Sequence, residues 1–404
     1  MQTRQYLLTE RAHLMCPNMQ FGIQVKLKAD YDEKRFQEAM QALREAHPFL
    51  RSVIAKEDES GKYYYDVRED IAPVIIQKEN VQAWMSDYQA LNADGWDAFH
   101  EGLLRVIVYP AAEAFDVIFV AHHLLGDGRG ILGMACEFAD CYAEGKKPQY
   151  AEEQLITSIK EFPQGSDLPF VSKMIINSAN KNWNKENHAV SYAEYLDFEQ
   201  QFIRENPTEF AEETVEAEKV QEMLDACHKA SVTLNDYLVA QMMSEEKCTK
   251  VVIAADIRSE LACYQKGALG NYATAMGIVS KAKTDDVMTK AKDVAAQIKA
   301  YRAKPQKLML ILACYLRMIP ELIDAVPIAT LGNYESKAGK FVGSAMFGYE
   351  KRDGYSVTNL GNIQNSNMLE AMFIPPVSPA NRKITGVVSV NGRMKKCSAV
   401  CRKK

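Results

Sequence analysis

The stretch that governs the interpretation of this chain is Ala121-His122-His123-Leu124-Leu125-Gly126-Asp127-Gly128. The apolar run 115–120 before it is typical of a buried strand, and a helical pattern begins near residue 130. The stretch therefore lies on a turn between a strand and a helix, where a rigid sheet can present a side chain to a ligand. The chain has only seven histidines in 404 residues, so chance is a poor explanation for an adjacent pair followed by Asp and Gly.

His123 is the residue that we identify as a candidate general base. A neutral imidazole, with a pKa of about 6.5, accepts a proton from a hydroxyl, amine or thiol at neutral pH. Asp127 either holds the ring of His123 or braces the turn by pairing with an arginine, and the residues alone favour neither role. Gly128 either permits a tight turn or directs its amide toward the site.

Two other interpretations of the stretch need no general base. In the first, His122 and His123 are ordinary half-buried side chains, and Asp127 is the N-cap of the following helix. In the second, the two histidines bind a metal ion, but the other histidines show no ligand-like spacing with carboxylates or thiols. The combined His-His and Asp-Gly spacing favours chemistry at His123, and we expect no metal.

The composition is that of an ordinary globular protein, with 47% hydrophobic and 25% charged residues. The formal net charge of −5 argues against a nucleic-acid partner, because such proteins usually carry a basic excess. No apolar run reaches 18 residues, and the N-terminus lacks a signal-peptide pattern. Nine cysteines without a CxxC pair predict free thiols in a reducing compartment. We therefore expect a cytoplasmic protein with no membrane span.

Hydrophobic periodicity predicts strands and helices in both halves of the chain, and hence an α/β protein with mixed sheets. Strands are predicted near 21–27, 49–55, 62–67, 73–77, 103–109, 115–121, 196–204, 251–256, 272–279, 354–359, 368–375, 384–391 and 395–401. Helices are predicted near 32–46, 81–91, 130–144, 213–229, 234–243 and 284–303, with further helices to about 347.

The stretch 162–188 contains Pro163, Gly165 and Pro169 and shows no clear amphipathic periodicity, which favours a crossover between domains. We accordingly predict an N-terminal half at 1–165, a linker at 166–188 and a C-terminal half at 189–404.

Residues 122–128 resemble the HHxxxDG motif of the CoA-dependent acyltransferase superfamily. This group includes condensation domains of nonribosomal peptide synthetases, polyketide-associated acyltransferases, alcohol acetyltransferases and chloramphenicol acetyltransferase. Other segments resemble further motifs of the group, in order: 7–14, 45–52, 256–258, 270–272 and 357–361. The "DFGWG" signature of the plant BAHD enzymes is absent, and so are a carrier-protein serine motif and an adenylation segment. We therefore expect a stand-alone protein without plant-type specificity.

The resemblance implies two chloramphenicol-acetyltransferase-like half-domains that form a V around a central tunnel. It implies that His123 deprotonates the acceptor for attack on an acyl thioester. It further implies that Asp127 forms a salt bridge with Arg258, and that the Gly128 backbone lies near the oxyanion.

The same resemblance makes His122 a structural neighbour and places Thr358 or Asn359 at the tunnel, on the facing half. The implied co-substrate is acyl-CoA or a phosphopantetheine thioester, with no bound cofactor. A thioester is already activated, so positioning, one base and oxyanion stabilisation suffice for transfer. We therefore expect acyl transfer from acyl-CoA to a small-molecule alcohol or amine. The alternatives are a condensation-type enzyme supplied by an acyl carrier protein, and a catalytically silent binding module of the same fold.

Overall fold

The computed structural model describes residues 4–401, which form three β-sheets surrounded by helices. The strands are β1 (Gln5–Tyr6), β2 (Gln20–Leu27), β3 (Ser52–Lys56), β4 (Tyr63–Val67), β5 (Val74–Gln77), β6 (Leu104–Tyr109), β7 (Phe115–His122), β8 (Thr208–Val215), β9 (Lys250–Asp256), β10 (Ala273–Val279), β11 (Gly354–Ile363), β12 (Met368–Ile374), β13 (Asn381–Val390) and β14 (Arg393–Cys401). The helices are α1 (Arg11–Leu14), α2 (Glu33–Ala46), α3 (Trp84–Leu91), α4 (Gly128–Glu144), α5 (Phe170–Glu186), α6 (Tyr192–Glu205), α7 (Ala217–Lys229), α8 (Leu234–Glu245), α9 (Val287–Arg302), α10 (Pro305–Leu308), α11 (Leu310–Arg317), α12 (Pro320–Leu331) and α13 (Lys337–Val342).

Strand β7, which ends at the first motif histidine, is the central strand of a five-stranded sheet with the order β12-β2-β7-β6-β5. All eight of its residues are buried, which explains the continuous apolar run in the sequence. Strand β12 pairs antiparallel with β2 and places Met372 opposite Gln24. This edge strand comes from the predicted C-terminal half, so the second half completes the sheet that carries the histidine pair.

The largest sheet has six strands in the order β10-β9-β11-β13-β14-β8. It is mixed, because β11 runs parallel to both β9 and β13 whereas the other neighbours are antiparallel. A small third sheet has the order β1-β4-β3. Mixed sheets combined with helices confirm the predicted α/β class.

The main hydrophobic core is one cluster of buried side chains that extends from Leu7 to Cys397 and so includes both predicted halves. The half-domain boundaries and the V-shaped arrangement remain predictions. No helix within residues 4–401 combines the length and apolar character needed to cross a lipid bilayer.

Two elements near residue 200 correct the sequence-based prediction. The segment 196–204 is part of helix α6 and not a strand, and a capping box between Ser191 and Glu194 starts this helix. The helix predicted from 213 begins at residue 217, because β8 continues through Val215 and pairs with β14. The sequence analysis missed strand β8 because its exposed residues include Glu209, Glu212 and Glu213, and glutamate is more typical of helices than of strands.

Two further segments also differ from the prediction. The stretch 162–188 is not irregular, since helix α5 occupies most of it and buries Ile176, Ala179 and Trp183. The strand predicted at 49–55 begins only at Ser52, because Pro48 opens a short 3₁₀ turn before it.

Candidate active site

The histidine pair occupies the turn that joins β7 to α4. His123 lies directly after the end of β7, where its backbone N–H donates to the carbonyl of Met19 at 2.8 Å. Asp127 is the N-cap of α4, and its Oδ1 accepts from the N–H groups of Arg129 and Gly130 at 3.0 Å each. Asp127 is therefore the helix N-cap, as the first of the two other interpretations predicts. This role accounts for only part of what Asp127 does.

Asn271 fixes the ring of His123. Its Nδ2 donates to the backbone carbonyl of His123 at 2.8 Å, which turns its Oδ1 toward the ring Nδ1, also at 2.8 Å. An amide oxygen only accepts, so Nδ1 carries the proton of the neutral ring and Nε2 holds the free lone pair. Burial lowers the pKa of His123, and the bond to Asn271 and the charge of Asp127 partly oppose that shift. The result is a neutral imidazole with Nε2 as its basic atom.

Two more rings confine His123. His13 from α1 stacks on it with 4.4 Å between ring centroids and 9° between planes, and Phe21 meets it edge-on at 5.2 Å. The Nδ1 atom of His13 is buried and has no hydrogen-bond partner within residues 4–401. Burial, together with the nearby His123 and His122, lowers the pKa of His13 well below its ordinary value. His13 is therefore a neutral aromatic support for the candidate base.

His122 has the contacts of a structural residue. It is buried, and its Nδ1 accepts the backbone N–H of Leu124 at 3.2 Å. Trp96 packs edge-on against its ring at 5.6 Å. Burial first, and then the charges of His123 and Arg105, lower the pKa of His122 to about 3. It thus stays neutral and anchors the end of the strand.

Asp127 braces two distant segments of the chain. Arg258 Nη2 donates to Asp127 Oδ1 at 2.8 Å, and the backbone N–H of Tyr272 donates to Oδ2 at 2.9 Å. Both carboxylate oxygens are therefore occupied, and neither bonds to the His123 ring. Of the two roles left open by the sequence, these contacts fit the brace.

The brace belongs to a larger charge network. Arg258 Nη1 also donates to Asp256 at 3.1 Å, and Asp256 pairs with Arg129 at 2.7 Å. Burial lowers the pKa of Arg258, but the charges and hydrogen bonds of Asp127 and Asp256 raise it by more, for a net rise. The half-buried guanidinium is thus compensated by two carboxylates.

Gly126 and Gly270 meet backbone to backbone. The N–H of Asp127 donates to the carbonyl of Gly270 at 3.1 Å. A Cβ on Gly126 would lie 2.8 Å from the nitrogen of Gly270, and Gly270 itself has a φ of +141°. The motif turn approaches the facing loop this closely because Gly126 carries no side chain, and the positive φ of Gly270 is a second reason for glycine there.

A cavity of about 640 Å³ opens in front of the motif. Residues from both predicted halves line it, and those named from the sequence are His123, Asp127, Gly128, Arg258, Thr358 and Asn359. Asn359 is also used locally, because its Oδ1 accepts the N–H of Gly361 at 2.9 Å. His122 is the one predicted site residue that does not line this cavity.

Three site residues had no role in the sequence analysis: His13, Asn271 and Tyr272. Asn271 and Tyr272 lie in the segment 270–272, whose resemblance marked the position but gave no function to the residues. His13 lies in the segment 7–14, and no local spacing connects it with His123. Within residues 4–401, no three His, Cys, Asp or Glu side chains converge as metal ligands would.

The sequence matches no protein-family model and no curated protein. Solved structures, in contrast, match it over nearly its whole length. Trichothecene 15-O-acetyltransferase from Fusarium sporotrichioides is 10% identical, has a TM-score of 0.61, and is matched over 98% of this chain and 90% of that one. Polyketide synthase associated protein 5 from Mycobacterium tuberculosis is 12% identical, with a TM-score of 0.58 and coverage of 98% and 92%.

The epimerization domain from the third module of tyrocidine synthetase B is 16% identical, with a TM-score of 0.55 and coverage of 98% and 88%. The chain therefore has the fold that an epimerization domain, condensation domains and an acetyltransferase of known structure share. At these identities, the likeness establishes the fold and not the reaction.

Proposed function

We propose that this protein is an acyltransferase that moves an acyl group from a thioester, acyl-CoA in the first instance, to a hydroxyl or amine acceptor. The observation that carries the proposal is the state of the His123 ring. Its Nδ1 is engaged by Asn271, its Nε2 remains basic, and the ring lines a cavity of about 640 Å³. A fold shared with an acetyltransferase supports an acyl group as the moiety transferred.

In the proposed reaction, Nε2 of His123 takes the proton from the acceptor O–H or N–H. The acceptor lone pair then forms a bond to the thioester carbonyl carbon, and the carbonyl electrons move onto oxygen. When the tetrahedral intermediate collapses, the C–S bond breaks and the thiolate leaves. The protonated His123 returns its proton to the thiolate, so the base is regenerated without a cofactor.

Gly128 is our candidate for stabilising the developing oxyanion. The next two N–H groups of α4 are capped by Asp127, but the Gly128 N–H has no acceptor within residues 4–401. It stands at the first position of a 17-residue helix, where the backbone carries partial positive charge. A side chain here would crowd the site, since a Cβ on Gly128 would lie 3.1 Å from Leu360 Cδ2.

A carrier-protein-bound thioester is the alternative donor. The fold that the chain shares with condensation domains of known structure supports this second possibility. The base and the acceptor would act in the same way with either donor. The donor therefore has to be identified by experiment.

The test combines a donor panel with one substitution. Purified protein is incubated with acyl-CoAs of two to sixteen carbons, or with acyl carrier protein, and with a mixture of alcohols and amines; thiol release and product mass are measured. We expect His123→Ala to lower transfer by about 10²–10⁴-fold with an unchanged melting temperature. His100→Ala, at an exposed histidine outside the cavity, is the matched control.

Near-normal turnover by His123→Ala would exclude His123 as the base. If the wild-type protein transfers no acyl group from any donor in the panel, the silent binding module becomes the better description.

A further inference from the structure

Helix α5 exposes a cluster of large apolar side chains in its first two turns. We call this cluster the α5 apolar tip; its members, with exposed fractions of 75, 65, 57 and 38%, are Phe170, Val171, Met174 and Ile175. The opposite side of the same helix is buried through Ile176, Ala179 and Trp183. Single exposed apolar residues are common, but several together on one face indicate a contact surface.

Two lysines lie on the exposed face of α5 beyond the apolar tip. At 100° per residue, Lys181 and Lys185 fall on the same face as Phe170 and Met174. Both lysines are exposed, and neither has an ion-pair partner within residues 4–401. The exposed face therefore has an apolar first half and a polar second half whose only charged residues before Glu186 are these two lysines.

The other charges of the helix do not change this pattern. Lys173 pairs with Asp167 in the preceding loop. Glu186 ends the helix, and its Oε1 accepts the backbone N–H of Ala338 at 2.9 Å. Between Phe170 and Lys185 the helix contains no acidic residue.

We propose that this face of α5 binds the surface of an anionic lipid bilayer. Large apolar side chains and lysines are the residue types that bind a helix to the interface of an anionic membrane, and here both are exposed on one face with no carboxylate between them. The side chains of the α5 apolar tip are exposed, and fluid acyl chains can surround such side chains without a matching shape. Lys181 and Lys185, about two and three turns beyond Ile175, would then reach the phosphate headgroups.

The charge of the protein explains why it would bind an anionic bilayer in one orientation. The whole chain carries a formal net charge of −5, so an anionic surface repels the molecule as a whole. A cationic face with adjacent apolar side chains is then the favoured point of approach. This proposal does not depend on the catalytic one, because none of the residues of this face lines the cavity at His123.

The test is co-sedimentation of the full chain with vesicles of phosphatidylcholine alone and of phosphatidylcholine with about 30% phosphatidylglycerol. We expect binding to the mixed vesicles and much weaker binding to the neutral ones. Phe170→Asp/Met174→Asp and, separately, Lys181→Glu/Lys185→Glu should each lower the partition coefficient for mixed vesicles at least about 10-fold. Val74→Asp, at a valine that is 45% exposed on β5, is the control and should leave it unchanged.

Three results would overturn the proposal. The first is equal binding, or no binding, to the two kinds of vesicle. The second is unchanged vesicle binding by Phe170→Asp/Met174→Asp, with a wild-type melting temperature showing that this variant is folded. The third is a concentration-dependent dimer that the same variant dissociates in sedimentation velocity, without vesicle binding by the wild type, which would assign the face to a second copy of the chain.

Discussion

The motif turn (residues 121–130) and the loop that faces it (residues 256–272) contribute different things to the candidate site. The motif turn carries the candidate base, and a short sequence pattern identifies it. The facing loop carries the groups that position the base: Asn271 contacts His123 across 148 residues of sequence, and Arg258 contacts Asp127 across 131. The candidate base and the groups that position it thus lie in separate segments of the sequence. Only the segment with the base has a specific sequence motif.

Of the contacts between the motif turn and the facing loop, the Arg258–Asp127 ion pair should have the largest effect on stability. Arg258→Met leaves Asp127 buried without its cation, and we expect a loss of about 3–5 kcal/mol in the free energy of unfolding, measured by urea denaturation. Lys219→Met, which breaks an exposed pair with Glu222, should cost less than about 1 kcal/mol. Equal losses in the two variants would show that the two segments are held together by other contacts.

A smaller effect, on rate and pH dependence, should follow from changing Asn271. The proposed reaction requires neutral His123, so activity rises as the pH passes upward through the pKa of that residue. The bond from Asn271 raises this pKa, so Asn271→Leu should move the acidic limb of kcat/KM to lower pH. Since Nε2 is then no longer fixed as the basic atom, the plateau should fall about 10-fold.

Asn271→Asp is the informative companion variant. Its carboxylate should move the same limb to higher pH, because a nearby negative charge favours the imidazolium. If both variants keep the wild-type pH profile, Asn271 does not set the state of the ring.

The smallest effect should come from the stacked ring of His13. His13→Ala removes the aromatic support of His123, and we expect a loss of about 2- to 10-fold in kcat, in line with the usual contribution of an aromatic pair. His13→Phe retains a flat ring and should recover most of the rate. A wild-type rate in His13→Ala, or no recovery in His13→Phe, would argue against a role in support.

Local signals identified much of this molecule in advance. The central strand β7 has a continuous apolar run, the helices α2 and α4 have helical apolar periodicity, and the structure confirms these elements and the four closing strands. The strand predicted at 196–204 was wrong because a helical face with Tyr195, Glu199 and Phe202 buried also contains short apolar runs. The signal that marks this segment as helical is the capping box of Ser191 and Glu194, which lies before the segment in which the strand was predicted.

The candidate site was predictable only in part, for a physical reason. His123 and Asp127 can be identified from the sequence because they lie four residues apart in one short motif. Asn271 and His13 reach His123 through tertiary contacts, and a backbone approach such as that of Gly126 to Gly270 leaves no periodic trace. A resemblance marked the segments that contain these residues, but their contacts follow only from the three-dimensional structure.

The late position of β12 in the chain has a consequence for biosynthesis. While the chain is being made, the sheet with His123 lacks its outer strand until residue 374 has left the ribosome, and the edge of β2 stays open until then. Unpaired edges recruit strands from other chains, and pairing between such distant segments is slow. We therefore expect that fragments ending before Met368 aggregate although the histidine motif is intact, and that chaperones protect this edge during translation.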